Sequence, residues 1–246
     1  MTANPPAQRI ALVTGASRGI GYATALALAR TGAHVVAVAR TTGGLEELDD
    51  AIRAAGGSAT LVPLDLTDYA GIARLGTALA ERYGRLDVLV GNAGMLGVLS
   101  PLNHVEPKVW EQVMAVNVTA NWHLIRSLDA LLQRSEAGRV VFVTSGAARN
   151  ARAYWGPYSM SKAALEVLAR TYAAETATTN VRVNLFNPGA TRTRMRASAM
   201  PGEDPASLKP AEAVADNVLL LCQPEFQETG KLYDYRLGLI SLAPSA

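Results

Sequence analysis

Tyr158 and Lys162 are separated by four positions, a spacing that brings two side chains together on one face of a helix. An ammonium group beside a phenol favours the phenolate form electrostatically. Such a tyrosine can pass a proton to or from an alcohol oxygen, and the hydroxyl of Ser145 could hydrogen-bond that oxygen. Tyrosine and lysine at this spacing are also common on solvated helix faces, so the pair alone leaves that interpretation open.

A glycine-rich segment, Gly15-x-x-x-Gly19-x-Gly21, lies between the first predicted strand and the first predicted helix. Glycines permit a sharp turn and a close approach to a pyrophosphate, and free N–H groups at the helix start face its oxygens. A simple tight turn is the alternative, but the position between strand and helix favours nucleotide binding. The predicted contacts in this segment are Gly15, Ser17, Arg18, Gly19, Ile20 and Gly21.

The residue after the second predicted strand indicates which dinucleotide is bound. An acid there would accept a hydrogen bond from the ribose 2′-hydroxyl of NAD, whereas an arginine accommodates the 2′-phosphate of NADP. The sequence has Arg40 at this point, and Arg18 could approach the same phosphate. Two guanidinium groups suit a phosphate dianion in charge and geometry. We therefore predict NADP(H) in preference to NAD(H), the alternative being two ordinary surface arginines.

Strands and helices alternate along the chain, which predicts an α/β fold: a Rossmann-type, doubly wound parallel sheet with helices on both faces. We predict a single nucleotide-binding and catalytic domain over residues 1–246, with 1–7 flexible and the proline-containing segment 192–210 a long loop or lid. Strands are predicted at 9–14, 34–39, 60–64, 86–90, 139–144, 181–187 and 231–235, and helices at 19–30, 45–55, 69–83, 109–133, 158–178 and 211–221.

Composition excludes several classes of protein. A net charge of +2, from 23 basic and 21 acidic residues, is no electrostatic footprint for nucleic acid. No apolar run approaches the roughly 18 residues of a membrane span, and the N-terminus lacks a signal pattern, so we expect a cytoplasmic protein. Cys222 cannot form an internal disulfide and is expected to be buried. The scattered His34, His104 and His123 predict no metal site.

The chain resembles the short-chain dehydrogenase/reductase family over about residues 8–238. Each motif is degenerate alone, but their order and spacing together are highly specific. A finer similarity, over residues 187–197, is to the uncharacterised bacterial oxidoreductases of the YciK type. The motifs are Thr14-Gly15-x-x-x-Gly19-x-Gly21, Asp65, Asn92-Ala93-Gly94, Asn117, Ser145, Tyr158-x-x-x-Lys162 and Pro188-Gly189-x-x-x-Thr193.

The resemblance implies hydride transfer between a nicotinamide and a carbonyl or secondary alcohol. It implies Tyr158 as general acid/base, Lys162 as the group that adjusts the tyrosine and holds the nicotinamide ribose, Ser145 as the substrate-orienting hydroxyl, and Asn117 as holder of a relay water. It also implies homodimers or homotetramers formed through the helices predicted at 109–133 and 158–178. Further implied cofactor contacts are Asp65, Leu66, Asn92, Ala93, Gly94, Tyr158 in addition to its catalytic role, Pro188, Gly189, Thr191 and Thr193.

One departure from the family is Gly91, where an asparagine is frequent; it removes a side chain that we expect near the adenosine ribose. The substrate stays open, because mostly apolar pocket candidates favour a hydrophobic carbonyl whereas Arg149, Arg152, Arg194 and Arg196 could attract an anion. The alternatives to a reductase are a cofactor-retaining epimerase or dehydratase and a non-catalytic nucleotide sensor. The pocket candidates are Met95, Leu96, Ala147, Tyr154, Trp155 and residues 194–200, with Trp155 equally explicable as ordinary packing.

Overall fold

The computed structural model describes residues 8–241, in which eight strands form one sheet in the order β3-β2-β1-β4-β5-β6-β7-β8. The expected flexibility of residues 1–7 therefore lies outside the described residues. The strands are β1 Ile10–Thr14, β2 His34–Ala39, β3 Ser58–Pro63, β4 Val88–Gly91, β5 Arg139–Val143, β6 Arg182–Asn187, β7 Lys231–Asp234 and β8 Gly238–Ser241.

Every strand pair from β3 to β7 is parallel, and only β7 and β8 run antiparallel. The central strands β1, β4 and β5 are buried throughout, because helices cover both faces of the sheet. This confirms the predicted Rossmann-type α/β fold. Strand β8 is absent from the prediction: it is four residues long and returns against β7 after a short turn, at the sheet edge, where the sequence has no long apolar run.

Two apolar clusters lie on opposite faces of the sheet, one around Phe142, Leu124 and Leu165 and the other around Leu45 and Phe186. Cys222 belongs to the second cluster and is confirmed as buried; burial raises the pKa of its thiol to about 12. The helices are α1 Gly19–Arg30, α2 Thr42–Ala54, α3 Tyr69–Tyr83, α4 Pro107–Met114, α5 Ala120–Gln133, α6 Gly156–Glu175, α7 Arg194–Ala199 and α8 Ala211–Leu221.

The helix predicted at 109–133 is not one regular helix. A π-helical turn, Ala115–Thr119, separates α4 from α5 and carries Asn117. A π-helical turn inserts an extra residue into the helical hydrogen-bond pattern, and such turns occur frequently at functional sites. Apolar periodicity predicts the helix but gives no signal for the insertion.

The segment 192–210 is also more regular than the predicted loop, because it contains α7. Helix formation has a local cause: the Thr193 hydroxyl accepts a hydrogen bond from the backbone N–H of Arg196 at 3.2 Å and so caps the first turn. The Arg196 guanidinium then binds both carboxylate oxygens of Glu203. The polar, proline-containing composition of this segment predicts a loop and gives no signal for the short helix.

Strand order reverses between β1 and β4, so the chain leaves their carboxyl ends in opposite directions. In open parallel sheets a crevice forms at this point and binds ligands. The glycine-rich turn after β1, the segment after β4 and the Ser145 turn after β5 all lie at this edge. Of the described residues, no helix is long and apolar enough to cross a membrane.

Candidate active site

The glycine-rich turn after β1 is closely packed. Gly15 and Gly19 have φ angles of +65° and +58°, in the left-handed region that favours glycine. A Cβ atom on Gly21 would collide with the Gly15 carbonyl oxygen and with the side-chain amide of Asn92. Glycine at position 21 is therefore required for the turn to close against the start of α1.

The N-terminus of α1 is open to a ligand. Arg18, the N-cap residue, has an extended backbone, and its side chain does not cap the helix. The N–H groups of a first helical turn have no partner within the helix and carry the positive end of the helix dipole. Thr193 borders this site, since its methyl group lies 3.5 Å from the position of a Cβ on Gly19. This arrangement suits an anionic ligand such as a phosphate.

The carboxyl ends of β1 and β4 are tied together by Thr14. Its hydroxyl accepts hydrogen bonds from the backbone N–H groups of Asn92 and Ala93, both at 3.0 Å. The Asn92 side chain donates in turn to the Thr14 carbonyl at 2.9 Å. The two segments predicted to hold a dinucleotide are therefore fixed relative to each other.

Arg40 follows β2 directly and is 70% exposed at its side chain, with a nitrogen 3.9 Å from the Asp65 carboxylate. The pKa of Asp65 lies below its ordinary value, chiefly because the backbone N–H of Thr67 donates to it, with Arg40 adding a smaller effect. Both charges face solvent at the crevice edge. Leu66 differs, because its side chain is buried in the apolar core and only its backbone can face a ligand.

Tyr158 and Lys162 lie on one buried face of α6, and Ser145 contacts the tyrosine. The Lys162 ammonium is 5.9 Å from the Tyr158 ring centre and donates to the Val143 carbonyl at 2.8 Å. Burial raises the pKa of Tyr158, and a hydrogen bond with Ser145 opposes this rise. Burial also lowers the pKa of Lys162 to about 8. The structure thus brings a phenol, an amine and a hydroxyl together.

Asn117 anchors the segment after β4 to α6. Its side-chain oxygen accepts from the Met95 N–H at 2.8 Å, and its amide donates to the Met95 carbonyl at 2.9 Å and to Ser161 at 2.8 Å. The Asn117 side-chain oxygen and the Lys162 ammonium lie 3.3 and 3.4 Å from the position of a Cβ on Gly94. Glycine at position 94 therefore keeps the space between them open.

A side chain at position 91 would point into the protein interior, which differs from the expectation that it would lie near the adenosine ribose. A Cβ atom on Gly91 would collide with the Phe142 ring and lie 2.7 Å from the side-chain oxygen of Asn121. Asn121 is buried and donates to the Asn117 backbone carbonyl at 2.8 Å. The missing side chain thus makes room for Phe142 and for an asparagine that supports the π-helical turn.

Asn187 is a site residue that sequence reasoning missed. Its side-chain oxygen accepts from the backbone N–H groups of Gly146 at 3.0 Å and Gly189 at 3.1 Å, and its amide donates to Asp234 at 2.7 Å. Asn187 therefore fixes the Ser145 turn relative to the Pro188–Gly189 turn. Its signal in the sequence is a polar residue that ends an apolar strand immediately before Pro-Gly.

A cavity of about 240 Å³ lies beside the Ser145 turn. Of the predicted pocket residues, Ala147, Trp155 and Arg196 line it, whereas Met95, Leu96 and Tyr154 do not. The Trp155 ring meets that of Tyr158 edge-on, with 6.0 Å between their centres. The lining residues are Ser145, Gly146, Ala147, Asn150, Arg152, Trp155, Asn187, Gly189, Ala190, Arg196 and Arg236.

The family model of the short chain dehydrogenases matches residues 9–204. The chain belongs to this family of oxidoreductases. It is 39% identical over 234 residues to the uncharacterized oxidoreductase YciK of Escherichia coli K12, covering 94% of this chain and 92% of that one. The predicted membership, including the similarity to the YciK type, is confirmed.

Solved short chain dehydrogenase structures superpose closely. One from Shigella flexneri 2a str. 301, complexed with NADP, is 39% identical with a TM-score of 0.89, covering 93% of this chain and 97% of that one. One from Escherichia coli CFT073, complexed with NADPH, is 40% identical with a TM-score of 0.86, covering 92% and 95%. Within residues 8–241, no three His, Cys, Asp or Glu side chains gather in an arrangement that could hold a metal ion.

Proposed function

We propose that the protein is an NADP(H)-dependent oxidoreductase that transfers hydride between the nicotinamide and a carbonyl compound or secondary alcohol. The observation that carries this proposal is the buried Tyr158 and Lys162 pair with Ser145 in contact with the tyrosine at the wall of a cavity. A proton donor held near a hydroxyl and an amine, with little water, fits the protonation of a carbonyl oxygen.

The crevice fits a dinucleotide phosphate. The closed glycine turn and the open N-terminus of α1 would hold the pyrophosphate, while the solvent-facing Arg18 and Arg40 would hold the 2′-phosphate. Bound there, the nicotinamide supplies or accepts the hydride. The relatives complexed with NADP and NADPH support this choice of cofactor. The other contacts would be Asp65, the Leu66 backbone, Asn92, Ala93, Gly94, Pro188, Gly189, Thr191 and Thr193.

The side chains around the cavity would then hold the substrate and move one proton. Ser145 and Tyr158 would both hydrogen-bond the carbonyl oxygen, and the Tyr158 hydroxyl would donate its proton to that oxygen during reduction. The Lys162 ammonium would stabilise the resulting phenolate and hold the nicotinamide ribose. A water on the backbone carbonyl of Asn117, in the π-helical turn, would return a proton from solvent through Lys162.

Following the absorbance of the reduced nicotinamide during turnover of a panel of aldehydes, ketones and secondary alcohols tests the proposal. We expect one cofactor to be consumed or formed for each substrate converted. An epimerase or dehydratase would convert substrate without net change in the cofactor. A nucleotide sensor would bind NADPH and convert nothing, but it has no need of a buried Tyr158 and Lys162 pair.

We expect Arg40→Ala to lower kcat/KM for NADPH by about tenfold to a hundredfold, because one charge-assisted contact to a phosphate is lost. The value for NADH should stay within about twofold, since that cofactor lacks the phosphate. Steady-state kinetics with both cofactors measure this. Arg53→Ala, which removes an exposed arginine of α2, is the matched control. Equal use of NADH by the unmodified protein, or unchanged use of NADPH by Arg40→Ala, would contradict the preference.

Members of this family are generally oligomeric, and we propose a homodimer or homotetramer formed through α5 and α6. Large apolar side chains exposed on these helices support the proposal, because isolated proteins rarely leave extended apolar patches in water. They are Trp122 on α5, 44% exposed, and Met160 and Val167 on α6, 50% and 55% exposed.

A further inference from the structure

The cavity beside Ser145 has a strongly basic lining. Three of its lining residues are arginines, Arg152, Arg196 and Arg236, and among the described residues no carboxylate lines it. Clustering cations in this way does not stabilise the fold, because like charges at close range repel. A one-sided charge in a small cleft raises the local concentration of ligands of opposite charge.

Nearby carboxylates balance this charge only in part. Two guanidinium nitrogens of Arg196 donate to the carboxylate of Glu203. The carboxylate of the buried Asp234 lies 3.6 Å from the Arg149 guanidinium and 4.0 Å from that of Arg236. Asp234 is thus shared between two arginines and also accepts from Asn187. Arg152 has no carboxylate within ion-pair distance in the described part of the chain; its guanidinium lies 5.4 Å from the Trp155 ring centre.

A further cation adjoins the cavity. The Lys209 ammonium donates to the carbonyl of Ala190, a lining residue, at 2.9 Å and lies 4.0 Å from the Tyr235 ring centre. Partial burial and the repulsion of Arg236 hold the pKa of Lys209 below its ordinary value. Lys209 and Arg236 are therefore close enough for their charges to act on each other.

We propose that the substrate is a small carbonyl compound that carries an anionic group, such as a carboxylate or a phosphate, bound by Arg152 and Arg236. Ser145 lines the same cavity, so the anionic group and the reacting carbonyl would belong to one small molecule bound there. The cavity, of about 240 Å³ and open to solvent on one side, is smaller than the roughly 300–1,000 Å³ of ordinary ligand pockets, which favours a small substrate. Trp155 also lines the cavity and offers an apolar surface to the body of that molecule.

This inference rests on the proposed function for its reacting carbonyl, but binding of the anion can be measured without turnover. Calorimetric titration of the NADP⁺-loaded protein with benzoate, phenylphosphonate and benzamide compares two anions with a neutral molecule of similar size. We expect at least one anion to bind about tenfold more tightly than benzamide, because a charged group gains charge-assisted hydrogen bonds. The stronger of the two identifies the group. Equal binding of all three would overturn the inference.

Charge removal locates the site. In the double variant Arg152→Gln and Arg236→Gln, the anion should lose its advantage over benzamide, while Arg53→Gln, a remote change of the same kind, should leave it unchanged. An advantage that survives the double variant would refute the assignment. Loss in the control as well would mean that only net charge matters, which would refute it equally.

Turnover separates this inference from the proposed function. We expect kcat/KM for para-formylbenzoate to exceed that for para-formylbenzamide by about tenfold, with the ratio falling towards one at high salt. Equal reduction of both aldehydes would leave a reductase without the anion preference. Tight binding of the anion with no oxidation of NADPH by any carbonyl would support the anion site and overturn the reductase.

Discussion

Replacement of Tyr158 by phenylalanine is expected to lower kcat for carbonyl reduction by about 10²–10⁴-fold, the range that general acid catalysis supplies. The change removes one oxygen atom from a buried ring that packs edge-on against Trp155, so the packing of α6 should survive. Ser145 keeps its place because it caps its own turn, accepting from the Ala147 N–H at 3.2 Å. Single-turnover kinetics with pre-bound NADPH measure the chemical step apart from cofactor binding.

Cofactor affinity is the internal check on that variant. The Kd for NADPH, measured by fluorescence titration, should change by no more than about threefold, because the proposed phosphate contacts are made by other residues and do not involve the phenol. Tyr233→Phe, which removes a partly buried hydroxyl that donates to Asn217 at 3.1 Å, controls for the loss of a tyrosine oxygen elsewhere in the protein. Near-normal turnover in Tyr158→Phe would refute the role assigned to this residue.

Replacement of Lys162 by methionine is expected to stop turnover and yet stabilise the fold. The ammonium is buried, and no carboxylate within residues 8–241 forms an ion pair with it. Its charge therefore lowers the stability of the folded state. A fall in the pKa of Lys162 from 10.5 to about 8 corresponds to a penalty of about 3 kcal/mol. Methionine has a similar length and no charge, so the free energy of unfolding should rise by about 1–3 kcal/mol.

The pH dependence of this gain has a definite sign. The unfolded chain keeps the Lys162 proton up to a pKa of 10.5, whereas the folded chain keeps it only to about 8. Between these values the unfolded state binds more protons, so the stability of the unmodified protein rises with pH. The advantage of Lys162→Met should therefore be complete below about pH 8 and vanish towards pH 10.5.

Urea unfolding of both proteins without cofactor, at about pH 7 and about pH 10, measures the difference. Lys108→Met, at an exposed position in α4, should show no such pH-dependent gain. A loss of stability in Lys162→Met at neutral pH would mean that the lysine is a structural residue. Unchanged turnover would remove it from the proposed proton path.

The sequence by itself determined the fold and the order of the site residues along the chain. Continuous apolar runs separated by helices can form few structures other than a doubly wound sheet, because both faces of each strand must be covered. That architecture puts the ends of β1, β4 and β5 at one edge, so the glycine turn, Asn92 and Ser145 meet there. Motif spacing then indicated the family, which the comparisons confirmed.

Only the tertiary structure decided how those residues are supported. Asn187 fixes the turns at Gly146 and Gly189, which are 43 residues apart in the sequence. Asn121, 30 residues after Gly91, packs beside that glycine from α5. Such contacts depend on distances between elements, which local patterns do not encode. The same reason explains why the π-helical turn and α7 were not predicted.

The charges around the cavity beside Ser145 show most clearly what sequence and tertiary structure each determine. The sequence offered Arg149, Arg152, Arg194 and Arg196 as equal candidates for an anion. In the structure Arg149 faces buried carboxylates, Arg194 lies outside the cavity, and Arg236, from the turn after β7, takes a place in its wall. Residue type fixes which charges exist, but burial and pairing, which arise only on folding, decide which of them remain available to a ligand.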